Sequence, residues 1–137
     1  MESPRLLMLT THIPIRWGDI DALGHVNNTL YFRFMEQARV EWLESLGYAV
    51  NRQREESVVI VNASCTFLLP LTYPGTVEID LYAGKPGRSS VPTYYELRKV
   101  EDGLLYAEGS AKIVWTSMAT GRSTPLPDDL RIRIEQG

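Results

Sequence analysis

Apolar side chains recur at steps of three and four through Tyr31, Phe34, Met35, Ala38, Trp42 and Leu46. That spacing lays a single stripe along a helix. Arg33, Glu36, Gln37, Glu41 and Glu44 fall mostly on its other faces, and Val40 on the polar side marks a second contact surface. Asn27 or Asn28 suits the N-cap and Gly47 is a natural stop. The predicted helix is about 18 residues, long for a small domain.

The rest of the pattern has period two. A first strand is predicted from Thr10 to Trp17. In Val58–Leu69 the odd positions Val59, Val61, Ala63, Cys65, Phe67 and Leu69 are all apolar, which predicts a strand with one face buried throughout. Val77, Ile79, Leu81 and Ala83 alternate with Glu78, Asp80 and Tyr82; Ser89–Val100 points Val91, Tyr95 and Leu97 inward. Glu101-Asp102-Gly103 is a hairpin signal before the long strand Leu104–Met118, and a short helix from Pro127 to Ile134 closes the chain. Strand, long helix, then strands joined by short turns make an α+β fold, an antiparallel sheet of about five strands wrapped around one long helix. Such a sheet leaves edge strands that pairing with a second copy would cover, so at least a homodimer is expected.

With 137 residues and no repeat, low-complexity tract or linker, residues 1–137 read as one domain. The formal net charge of −3 gives a nucleic-acid partner no bulk electrostatic support. Cys65, the single cysteine, cannot form an intrachain disulfide and reads as a small buried hydrophobe. With only His12 and His25 beside it, a Cys/His zinc site is not expected, and no metal or organic cofactor is implied. No run of about 18 apolar residues predicts a membrane span. The N-terminal Met1-Glu2-Ser3-Pro4-Arg5 does not read as a signal segment, so a soluble cytoplasmic protein is the default.

The chemistry concentrates in Arg16–Tyr31, which runs from the first strand through a Gly-punctuated turn into the helix. Asp19, Asp21 and His25 sit in that turn. A helix start offers unpaired N–H groups and partial positive charge. A carboxylate close to such donors can activate water while the donors polarise a carbonyl, the minimum equipment for hydrolysing an activated acyl group.

The run Asp19-Ile20-Asp21-Ala22-Leu23-Gly24-His25-Val26-Asn27-Asn28-Thr29-Leu30-Tyr31 resembles that of the hotdog-fold thioesterases, in particular the 4-hydroxybenzoyl-CoA thioesterase type. Phe67-Leu68-Leu69-Pro70, Tyr73-Pro74-Gly75-Thr76 and Gly87-Arg88-Ser89-Ser90 echo it, so that the likeness spans Thr11 to Met118. The resemblance implies an acyl-CoA thioesterase with Asp21 as catalytic carboxylate, the Asn28 backbone N–H polarising the carbonyl, and a dimer or tetramer built from dimers. Acyl-carrier-protein thioesterases of the same superfamily carry an Asn two positions after the Asp. Leu23 stands there in this chain, which argues against a direct copy of their mechanism.

Asp21 is read as general base on water or as nucleophile forming a mixed anhydride. Asp19 is read as a turn-forming or salt-bridging residue. His25 could bond Asp21 or the thioester, or cap the turn. Coenzyme A brings phosphates, and Lys85 and Arg88, with the Ser89 and Ser90 hydroxyls, form the cationic turn expected to bind them; Arg122 is a weaker candidate. Trp17, Tyr31, Phe34, Met35 and Trp42 read as core, with Tyr31 and Met35 also candidates for lining the acyl tunnel. Two alternatives stay open: a thioesterase acting on acyl-carrier protein, and a binding module without turnover. The cations Arg33, Arg39, Arg52 and Arg54 are scattered, not the dense basic rim a carrier protein would favour.

Overall fold

The computed structural model describes residues 5–48 and 56–136, so Arg52 and Arg54 lie outside the described residues. Strand β1 (Leu6–Pro14) leads through a 3-10 turn (Trp17–Asp19) into helix α1 (Asn28–Ser45). Strands β2 (Glu56–Phe67), β3 (Thr76–Ala83), β4 (Ser90–Lys99) and β5 (Leu105–Ser117) follow, and helix α2 (Asp128–Gln136) ends the chain. The five strands form one antiparallel sheet in the order β1-β3-β4-β5-β2. Among the described residues no helix is long and apolar enough to cross a membrane.

The alternation read in β3 and β4 produces the floor of the core. Val77, Ile79, Leu81 and Ala83 are buried, as are Val91, Thr93, Tyr95 and Leu97, while the intervening positions face the opposite side. The helical stripe Tyr31, Phe34, Met35, Ala38 and Trp42 is buried against that floor. Close approach is possible because β5 presents Ala107, Gly109 and Ala111 inward. A Cβ on Gly109 would collide with the Met35 Sδ. The helix begins and ends as the pattern requires. The Asn27 side chain accepts from the Thr29 N–H at 2.9 Å, and Gly47 takes a φ of +87°, a left-handed conformation that favours glycine.

Three expectations need correction. Strand β1 ends at Pro14, and Trp17, expected in the core, is 78% exposed. The chain leaves the sheet once the Ile15 N–H has bonded the Gly75 carbonyl, and the 3-10 turn then swings the indole outward. In β2 the odd positions do not share one buried face. A bulge between Ile60 and Asn62 shifts the register. Val58 and Ile60 therefore join Ala63, Cys65 and Phe67 on the inner face, opposite Trp115, Ile113, Ala111, Gly109 and Ala107, while Val59 pairs with Val114. That inner face is also poorly covered, with Ile60 and Phe67 exposed, because β2 is an edge strand that the helix does not reach across; Val59, Val61, Leu68 and Leu69 around it are exposed as well. Cys65 is accordingly only half-buried, and burial still pushes its thiol up to about 11.

Candidate active site

The site is built by backbone hydrogen bonds between Asp19 and Asn28. Asp19 is buried, and its Oδ2 accepts from the Arg16 N–H at 2.8 Å while Oδ1 lies 3.3 Å from the Arg16 guanidinium. Asp19 is thus the structural carboxylate that locks the 3-10 turn. Next, Ile20 and Val26 form an isolated bridge, the Asp21 N–H donates to the His25 carbonyl at 2.9 Å, and the Asn27 N–H donates to the Asp19 carbonyl at 3.1 Å. Residues 19–27 are therefore a miniature hairpin. Its tip closes through Gly24 N–H to the Asp21 carbonyl at 3.0 Å, with Gly24 at φ +82°. The hairpin is anchored below by Val26, which is buried and donates its N–H to the Leu71 carbonyl at 2.8 Å.

This hairpin carries Asp21 and delivers the chain to the start of α1. The Asp21 Oδ1 accepts from the Leu23 N–H at 2.9 Å, an Asx-type turn that orients the carboxylate. Among the described residues, no donor engages Oδ2. At the helix start the first three N–H groups have no intrahelical acceptor. The Thr29 N–H is taken by the Asn27 Oδ1 and the Leu30 N–H by the Asn27 carbonyl at 2.9 Å. The Asn28 N–H has no acceptor among the described residues, and Asn28 itself is exposed. One open carboxylate oxygen thus stands on the hairpin and one open amide at the helix start that follows it.

The remaining candidates divide. The His25 imidazole is exposed and makes no bond to Asp21 among the described residues; the two are linked through the main chain. Tyr31 is 2% exposed, and its hydroxyl accepts from the Leu71 N–H at 3.3 Å. Burial raises its pKa. Tyr31 thus braces the Leu71 loop under the hairpin. Lys85, Arg88, Ser89 and Ser90 lie beyond the far end of β3 from the hairpin, whose neighbours Leu71 and Gly75 precede Thr76. Eight extended residues place the two ends about 23 Å apart. The backbone of that turn is also occupied: the Gly87 N–H bonds the Ser90 carbonyl, and the Arg88 carbonyl accepts from the Leu126 N–H and the Arg131 guanidinium. The side chains of Lys85, Arg88, Ser89 and Ser90 have no partner among the described residues and remain free to meet an anion. A polar groove of about 630 Å³ between β1 and α1, lined by His12, Arg16, Asp19, Arg33, Glu36 and Glu41 among others, excludes both Asp21 and Asn28. The sequence reading also passed over Arg39, whose signal was available: it stands four residues after Met35 and four before Leu43, in an otherwise buried row.

A sheet wrapped on one helix, with a carboxylate hairpin feeding the helix start, defines a thioester hydrolase of the hotdog fold. Residues 15–134 match the thioesterase-like superfamily, and the chain belongs to that family. The solved structure of PA2801, a candidate thioesterase from Pseudomonas aeruginosa, is 46% identical with a TM-score of 0.88, over 93% of this chain and 98% of that one. The long-chain acyl-CoA thioesterase FadM of Escherichia coli is 26% identical over 133 residues, covering 93% of this chain and 98% of FadM. A protein of Aquifex aeolicus described as a candidate esterase is 36% identical over 69 residues, which is 49% of this chain and 54% of that protein.

Proposed function

We propose that the protein hydrolyses acyl-CoA thioesters to a free carboxylic acid and coenzyme A. The observation that carries this reading is the open Asp21 oxygen on the hairpin together with the unpaired Asn28 N–H at the helix start that follows it. The thioester carbonyl oxygen accepts from the Asn28 N–H, at the positive end of α1, where negative charge on that oxygen is stabilised as it develops. Asp21 then acts by one of two routes. As base, it takes a proton from water, the hydroxide oxygen adds to the carbonyl carbon, and collapse breaks the C–S bond as the proton passes to the departing thiolate. As nucleophile, its oxygen adds to the carbon and expels the thiolate, leaving a mixed anhydride that water cleaves. His25, exposed on the hairpin tip, is available to the thioester or its leaving group.

The active unit on this reading is a dimer joined along β2. Its free edge and the exposed Val59 and Val61 invite a second copy. Lys85, Arg88, Ser89 and Ser90, too distant to serve their own Asp21, bind the coenzyme A phosphates of a site completed by another subunit. A dimer of dimers is compatible with the same contacts.

Thiol release from short, long and aromatic acyl-CoA esters, run beside the matching acyl-carrier-protein esters, tests this proposal. Asp21→Asn is expected to lower kcat by roughly a hundredfold or more. Near wild-type kcat in that variant would remove Asp21 from the chemistry. Turnover confined to carrier-protein esters would change the substrate, and turnover of neither would leave a binding module.

A further inference from the structure

On α1, Tyr31, Met35, Arg39 and Leu43 stand four residues apart and so share one row. Three of them are 2%, 0% and 6% exposed. The row faces the β5–β2 side of the sheet: Tyr31 meets the Phe67 ring edge-on at 4.9 Å, and Met35 packs over Gly109. Arg39 is the one charged member. It is half-buried, and among the described residues it has no carboxylate partner. Its guanidinium donates to the Tyr95 hydroxyl at 3.3 Å and lies 5.8 Å from that ring. That hydroxyl is already bonded to the Thr93 Oγ1 at 2.7 Å, deep in the core. A cation in such a place, with one weak bond for its five donors, is poised for an acceptor from outside the chain.

An open shelf leads to it. The inner face of β2 presents Phe67, Cys65, Ala63 and Ile60 beside this row, and Phe67, Ala63 and Ile60 remain exposed. Phe67 lies at the Tyr31 end, next to the hairpin. Ala63 is in register with Ala111, which is in register with Thr93, so it marks the level of the Arg39 contact. Four strand residues put Ala63 about 13 Å from Phe67. Along α1, Arg39 is eleven residues from Asn28, about 16 Å. A side chain leaning back toward the N-terminus by up to a turn puts the guanidinium about 11–16 Å from the Asn28 amide. On the β2 side of this row the small side chains of Ala63 and Cys65 leave that stretch uncovered.

We infer that Arg39 selects acyl groups of medium length that carry a terminal carboxylate, held at the far end of a channel running along β2 from Asp21. The inference rests on the thioesterase reading above. An extended chain advances about 1.2 Å per bond, so about nine to thirteen bonds separate the thioester carbonyl from the bound carboxylate. The guanidinium satisfies that carboxylate bidentately without giving up the apolar walls before it.

The test compares kcat/KM for the ω-carboxydecanoyl and decanoyl esters of coenzyme A. Wild-type protein is expected to favour the carboxylated ester. Arg39→Met, an apolar replacement suited to its row, should shrink the ratio by roughly ten- to a hundredfold, the range for a charge-assisted bond in a half-buried site. Arg39→Lys should restore part of it. An unchanged ratio in folded Arg39→Met, or a wild-type preference for decanoyl, overturns the inference while leaving the thioesterase reading intact. Loss of the dimer with the ratio preserved would assign Arg39 to a subunit contact and also overturn it. If wild-type protein hydrolyses neither these nor the short and aromatic esters, the thioesterase reading itself fails.

Discussion

Replacing Asn28 with proline should delete the amide at the centre of the proposed mechanism and leave the fold alone. The first helical position is where proline is best tolerated, because the missing N–H lacks an intrahelical partner there. The local geometry agrees on both sides. Asn27 has φ −59° and ψ 136°, the extended conformation that a residue before proline adopts. The Asn28 N–H has no acceptor among the described residues, so its loss breaks no internal bond. Pre-setting φ restricts the unfolded chain and adds about 0.4–1 kcal/mol of stability. Removing an oxyanion donor, by contrast, costs about 10²–10³ in kcat, or about 2.7–4 kcal/mol. Asn28→Pro should therefore keep or raise Tm, followed by circular dichroism, while thiol release from acyl-CoA falls two to three orders of magnitude. Asn28→Ala retains the amide and should be far milder. Wild-type kcat in the proline variant would refute the polarising role of this amide, and a large drop in Tm would show that the N–H has a structural partner after all.

Val61, at the β2 bulge and 53% exposed, should be intolerant of charge only in the assembled protein: Val61→Lys is expected to shift sedimentation toward the monomer, and an unchanged assembly would exclude the β2 edge as the interface. Gly109→Ala forces a methyl group against Met35 and to 3.1 Å from the Ser64 carbonyl, which should cost about 1–3 kcal/mol and lower Tm by several degrees in thermal melts. Raising the Cys65 thiol from 9.0 to about 11 leaves roughly a hundredfold less thiolate at pH 8, so disulfide-exchange labelling of folded protein should be slower than of unfolded chain by about that factor. A raised pKa also means that this thiol's contribution to stability is complete below about pH 9 and is lost as pH rises toward 11, a trend that Cys65→Ala should abolish in alkaline melts.

Periodicity alone was enough for the long helix, for β3 and β4, and for the order of elements, because each of these buries one face and the burial repeats at the period of the backbone. Asn27 as cap and Gly47 as stop were equally plain, since both act on groups within a few residues of themselves. The candidates Asp21 and Asn28 also came from one continuous segment, in which a local hairpin leads directly into the helix start. Trp17 and β2 went otherwise. An apolar residue looks the same in sequence whether it fills a core or waits on an edge, and a single-residue bulge reverses every side chain beyond it.

What only the tertiary structure decided was distance and company. Lys85–Ser90 and Asp21 look like parts of one site when written in a line, yet the length of β3 holds them at opposite ends of the sheet. Asp19 and Asp21 are near-twins in the chain; burial against the Arg16 amide makes one a structural clamp, while the other keeps an oxygen that no donor engages among the described residues. Arg39 was one more scattered cation until the packing of α1 put it in a buried row over Tyr95. Sequence dictates local conformation because backbone preference and burial pattern act over a few residues. Which charges meet, and which stand unpaired, depends on how the helix crosses the strands, and that is settled only when the whole core closes.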